Sequence, residues 1–138
     1  MKDERRRHFR AELKWPVIIQ HAKGDLNGET LNFSTLSAFI RCSRPLKLNE
    51  VFNLTIDAPN RRLSVNAEVV WSNIHGRDDD ITPRGMGVRF LNIESEDQQF
   101  IAKAIAYRSL EKTANDYLQT LEREVRKNRS GHPLKLPG

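Results

Sequence analysis

From Leu63 to Trp71 the chain alternates: Leu63, Val65, Ala67, Val69 and Trp71 are apolar, and Ser64, Asn66 and Glu68 stand between them. A two-residue period is that of a strand with one dry and one wet face. Phe52, Leu54 and Ile56 alternate with Asn53, Thr55 and Asp57 in the same way, and the short Ala58-Pro59-Asn60 link predicts a hairpin joining the two segments. Further strands are predicted at Trp15 to His21, Glu29 to Phe33, Ala38 to Cys42 and Met86 to Leu91, the first two separated by turn signals at Gly24-Asp25 and Asn27-Gly28. Six short strands within about 80 residues predict a closed barrel or a sandwich, architectures that limit exposed sheet edges.

After Asn92 the period changes. Ser95 followed by Gln98 fits a capping box, and Glu96 and Asp97 place negative charge where a helix N-terminus favours it. Phe100, Ala104, Tyr107, Ala114, Leu118, Leu121 and Val125 then recur at spacings of four and three, interrupted only by Glu111. This predicts one long amphipathic helix ending near Asn128. At about 1.5 Å rise per residue, its apolar stripe is longer than one small barrel can cover, and a homodimer through this helix is the simplest cover. The chain thus divides into an arginine-rich arm over 1–14, a β-barrel over 15–93, the helix over 94–128, and a tail over 129–138 too polar and rich in Pro and Gly to predict order.

Length and composition narrow the class. A chain of 138 residues has room for one ordinary domain, and 38% hydrophobic with 30% charged residues suits a water-soluble one. No run reaches the roughly 18 apolar residues of a membrane span. The charged start, Met1 to Arg10, is followed by no apolar segment of a secretory signal, and the lone Cys42 cannot found a disulfide framework. Both point to the cytoplasm, with Cys42 as a buried core thiol. A net charge of +5 implies attraction to anions, whether nucleotides, nucleic acids or an acidic membrane surface, and its arrangement is uneven: Arg5, Arg6, Arg7 and Arg10 crowd the start.

Arginine presents a planar fork of donors that clamps phosphate oxygens and also pairs with the O6 and N7 acceptors of guanine. One residue type therefore reads both parts of a guanine nucleotide, although an isolated charge run is more often a solvated arm. Between two predicted strands, Asn32-Phe33-Ser34-Thr35-Leu36-Ser37 offers Asn32 as an acceptor for the Watson-Crick edge of guanine and the hydroxyls of Ser34 and Ser37 as donors to phosphate. In isolation such residues more often cap their own turn. Other chemistry finds no support. Asp78-Asp79-Asp80 lacks the alternate spacing and closing glutamate of a calcium loop, and His8, His21, His75 and His132 are scattered. No nucleophile elbow or phosphate-binding glycine loop is present, so neither an enzyme, a metal nor a cofactor is predicted.

Taken in order, these motifs resemble the PilZ domain family, whose signature is RRxxR followed by [D/N]xSxxG. Arg6-Arg7-His8-Phe9-Arg10 matches the first part, and Asn32 and Ser34 match the second. Gly85-Met86-Gly87-Val88-Arg89-Phe90 is similar to the family's late GxGVxF strand. The resemblance implies a six-stranded antiparallel PilZ-type barrel, mainly β, with a C-terminal helix. It implies a non-enzymatic receptor for the bacterial second messenger cyclic di-GMP, signalling to a downstream protein that the sequence does not identify. Arg6, Arg7 and Arg10 would take phosphates and guanine, with Asn32 and Ser34 in support. Arg5 stands where a basic residue in similar proteins accompanies a stacked ligand pair. Trp71 aligns with an aromatic position able to stack on a base, while its place in an apolar row favours core packing. The family's glycine is Ser37 here; if that position needs a positive φ, serine costs about 1 kcal/mol or shifts the turn. Two other readings stand beside the receptor. One is a PilZ-like interaction or dimerisation module with weak or no nucleotide binding. The other is general nucleic-acid binding, disfavoured because no predicted strand face carries an aromatic series.

Overall fold

The computed structural model describes residues 11–131, with side chains through Lys127. Six strands form: β1 (Pro16–His21), β2 (Gly24–Phe33), β3 (Ser37–Arg41), β4 (Val51–Ala58), β5 (Arg61–Asn73) and β6 (Gly85–Asn92). All neighbours pair antiparallel in the order β1-β2-β3-β6-β5-β4, and β1 closes the ring against β4. Closure resolves the barrel-or-sandwich choice and leaves no free edge.

The inward rows are those the alternation predicts. Leu63, Val65, Ala67 and Val69 of β5 are buried opposite Phe52, Leu54, Ile56 and Ala58 of β4, joined by Val17, Ile19, Ile40, Met86 and Val88 from the remaining wall. The β4–β5 turn is the predicted one, with Ala58 paired to Arg61 across Pro59 and Asn60. Asn60 holds φ at 63°, the Pro-then-positive-φ order of a type II turn. The β1–β2 turn falls elsewhere than the glycine signals suggest. It is Ala22-Lys23, because Gly24 already pairs with His21, and Asn27-Gly28 lies inside β2. Gly28 serves close approach, since a Cβ there would stand 2.7 Å from the Arg41 carbonyl.

One end of the barrel is closed by the root of helix α1 (Ser95–Gly131). Its first amide bond runs from the Gln98 N–H to the Glu94 carbonyl at 2.9 Å, so the turn opens on Glu94, and Ser95 makes no side-chain cap. The predicted capping box does not form, and the first turn is tied to β5 by an ion pair instead: Arg61 donates to Asp97 through Nη2 at 2.7 Å and Nε at 3.1 Å, with its guanidinium over the Phe100 ring. Ile101 and Ile105 are fully buried, and Phe100 meets Trp15 at 6.0 Å between centroids. Beyond them apolar burial stops. Tyr107, Leu110, Tyr117, Leu118, Leu121 and Val125 are all exposed, so most of the helix stands clear of the barrel. It continues three residues past Asn128; 132–138 are outside the described residues.

Candidate functional site

Two irregularities in the ladder shape a grooved part of the surface. Thr30 pairs with Ile40 but Asn32 pairs with Phe39, which leaves Leu31 as an extra residue in β2. An extra residue turns the side chains after it to the other face. Thr30 and Phe33 are therefore both buried, and Asn32 is exposed. In β5, Val69 pairs with Val88 and Trp71 with Gly87, leaving Val70 extra. Trp71 is consequently expelled from the apolar row that sequence alternation assigns it to, and is 48% exposed. Core packing is thus not the role of Trp71, because the bulge reverses its face.

Phe39, Gly87 and Trp71 form one row across β3, β6 and β5. The two aromatic rings lie 5.7 Å apart at 48°. Gly87 stands between them without a side chain, and a cavity of about 270 Å³ opens there, lined also by Asn32, Ser34 and Ser37. It adjoins a groove of about 710 Å³ bounded by Asn32, Trp71, Lys14, Arg41 and the loop from Asp80 to Pro83. The fold thus brings Asn32, Ser34, Ser37 and Trp71 to one place.

The turn from Ser34 to Ser37 is internally bonded. Ser34 is buried, and its Oγ accepts the N–H groups of Leu36 at 3.2 Å and Ser37 at 3.0 Å while meeting Ser37 Oγ at 2.9 Å. Its N–H donates to the Ser37 carbonyl at 2.8 Å. Ser34 therefore organises the turn that carries its neighbours. Among the described residues, Asn49 and Asn60 are the non-glycine positions with positive φ, so Ser37 carries none of the strain that the missing glycine suggests. Ser37 opens β3, paired with Arg89, in ordinary extended backbone.

The far wall of the groove depends on a residue that the sequence did not mark. Asn73 is buried, donating through Nδ2 to the carbonyls of Arg77 at 2.8 Å and Pro83 at 3.1 Å, and accepting the Gly76 N–H at 2.9 Å. Asp79 accepts the N–H groups of Ile81 and Thr82, and Asp78 accepts that of Arg84. Asp78 and Asp79 are thus turn caps, and among the described residues no His, Cys, Asp or Glu cluster could hold a metal. An Asn at a strand end three residues before Gly is a usable signal, but a weak one.

At the other wall the described chain begins with Ala11, bridged to Phe33 by Ala11 N–H to Phe33 O at 3.0 Å and Phe33 N–H to Ala11 O at 2.9 Å. Arg5, Arg6, Arg7 and Arg10 lie outside the described residues. Cys42 is buried, as the sequence suggests, and burial pushes its thiol up to about 11. No helix among the described residues is long and apolar enough to cross a membrane.

Comparison with known proteins gives a consistent result. The family model of the PilZ domain matches residues 4–107. No curated protein sequence matches the chain. Among solved structures, the Bacillus subtilis inhibitor of motility MotI/DgrA aligns with a TM-score of 0.66 at 23% identity, over 78% of this chain and 52% of that one. The PilZ domain of Escherichia coli YcgR, solved with c-di-GMP, aligns at 0.62 and 16% identity, over 81% of this chain and 97% of the domain. The longer YcgR chain with c-di-GMP aligns at 0.62 and 18%, over 85% of this chain and 50% of its own. This chain therefore spans about half the length of MotI and of the longer YcgR chain. Those likenesses concern the closed six-stranded barrel, and the family match extends from that barrel into both the arginine motif and the root of α1: this chain belongs to the PilZ domain family.

Proposed function

We propose that the chain is a non-enzymatic cytoplasmic receptor for cyclic di-GMP, held between the arginines of the N-terminal arm and the groove beside Asn32 and Trp71. The observation that carries this reading is the Ala11–Phe33 bridge. Phe33 directly follows Asn32, so the bridge sets Ala11, the residue next to the RRxxR motif in sequence, beside the groove, which supports a site shared with that motif. Arg6, Arg7 and Arg10 supply forks for phosphate and for the guanine Hoogsteen edge, and Arg5 adds charge for a second stacked molecule. Asn32 meets the guanine Watson-Crick edge, Ser37 offers its hydroxyl at the rim, and the exposed face of Trp71 stacks on a base. YcgR, whose PilZ domain has this fold, was solved with the same dinucleotide. Ligand closure over the groove would change the surface offered to a downstream protein. Calorimetry against cyclic di-GMP, with GTP and cyclic AMP as controls, tests the assignment. Saturable heat for the cyclic dinucleotide alone is expected; its absence at high micromolar ligand in low salt removes the reading.

A second role is favoured by the bare part of α1. Tyr107, Leu118, Leu121 and Val125 continue a four-three spacing over solvent, which suits side-by-side pairing with the same helix of a second copy. Sedimentation should show a dimer that Leu118→Glu with Leu121→Glu dissociates. A monomer at high concentration, with and without ligand, excludes pairing.

A further inference from the structure

Beyond the groove, on its helix side, lies a further cavity of about 460 Å³. Ala11, Glu12 and Asn32 line it from the barrel, and Arg108, Ser109 and Lys112 line it from α1. It shares Glu12 and Asn32 with the groove, so the two are neighbours. Arg108 and Lys112 are four residues apart and project from one face of the helix, one turn above each other. Neither is consumed by a strong partner. Arg108 meets Glu111 at 3.7 Å with both side chains about half open to water, a pair of small value, and Lys112 has no ion pair among the described residues. Around the two neighbouring spaces stand four cations, Lys14, Arg41, Arg108 and Lys112, against three carboxylates, Glu12 and Asp80 in the lining and Glu111 beside Arg108. Such an imbalance holds an anion better than it holds empty water.

We infer that Arg108 and Lys112 form a phosphate subsite of the ligand groove, contributed by the helix and facing Asn32. The inference rests on the receptor reading above and deepens it. A diester phosphate in this cavity receives the Arg108 fork and the Lys112 ammonium while its base lies toward Trp71. The consequence concerns the helix as much as the ligand. Packing docks α1 only as far as Ile105, and Arg108 and Lys112 lie past that limit. A phosphate bridging them to the barrel extends the docked length by seven residues, about 10 Å of helix axis. Ligand occupancy is thereby transmitted to the bare stripe that follows.

The test is titration of the full chain with cyclic di-GMP at two salt concentrations, alongside hydrogen exchange of the 106–113 amides and an inorganic phosphate control. Arg108→Ala with Lys112→Ala should weaken binding about tenfold and flatten its salt dependence. The exchanged pair Arg108→Lys with Lys112→Arg should retain most of the affinity. Arg123→Ala with Arg126→Ala removes equal charge from the distal helix and should change affinity less than about twofold. Ligand should protect the 106–113 amides in the wild type and leave them unprotected in the double alanine variant. If the wild type binds and the alanine pair binds equally well, or the distal pair loses as much, the subsite is wrong while the receptor stands. A wild-type chain that binds phosphate but not the dinucleotide, or binds neither, overturns both.

Discussion

The two tryptophans of this chain occupy opposite situations, and the contrast separates what holds the barrel from what the barrel offers. Trp15 is buried at the helix end, 5.2 Å from Phe33 and 6.0 Å from Phe100, with its backbone N–H bonded to the buried Thr30 hydroxyl at 2.9 Å. Trp71 is half exposed on the opposite face of the wall, against Phe39 and across the gap left by Gly87. Both are large apolar rings in β-rich sequence. Only the register slip at Val70 gives the second one to solvent, where its ring face is available to a planar ligand.

Four measurements can break or sharpen that contrast. Trp15→Ala should have the largest effect, a loss of about 3–5 kcal/mol in urea denaturation, because it empties a packed aromatic contact shared by barrel and helix. A loss below about 1 kcal/mol would mean that the helix end does not hold the fold. Arg6→Ala or Arg10→Ala should act in the opposite sense. Cyclic di-GMP affinity should fall about a hundredfold, the scale of a charge-assisted contact of roughly 2–3 kcal/mol, while the circular dichroism spectrum stays as in the wild type. Retention of wild-type affinity places the ligand elsewhere.

Trp71→Ala should weaken ligand binding by about tenfold, the range of one base-aromatic stack, and leave stability within about 1 kcal/mol. A large stability loss without an affinity loss would return this residue to the core. Cys42 gives the smallest effect and belongs to the packed side. Burial raises its thiol from 9.0 to about 11, so the neutral form is favoured in the fold. The stability this contributes is complete below about pH 9 and is lost as pH rises from there through about 11. At pH 10 the wild type should have lost about 1 kcal/mol more than Cys42→Ala, each relative to its own value at pH 8. Parallel curves for the two proteins would show that the thiol titrates alike folded and unfolded.

The segments that local pattern describes well are those in which one periodicity runs unbroken. Phe52 to Ile56 and Leu63 to Val69 are buried on the face that alternation marks, and Pro59-Asn60 turns where the composition says it should. The ordered motifs likewise lead to the correct family before any coordinates. Beside the displaced β1–β2 turn and the capping box that does not form, further departures lie around the groove. Trp71 leaves its row, Ser37 needs no positive φ, Ser34 spends its hydroxyl inside the turn, and Asn73 anchors a wall that no motif announces.

The sequence by itself determined the number of strands, the apolar faces of β4 and the first part of β5, the long helix and the family. These follow from periods and motifs carried by one stretch of chain at a time. Tertiary structure alone decided that Asn32 and Trp71 face outward together and that Arg108 and Lys112 stand opposite Asn32. A bulge is a mismatch in length between two paired strands, and a cavity is a relation between a strand and a helix that lie far apart in sequence. Neither is a property of any single segment, so neither leaves a local pattern to read.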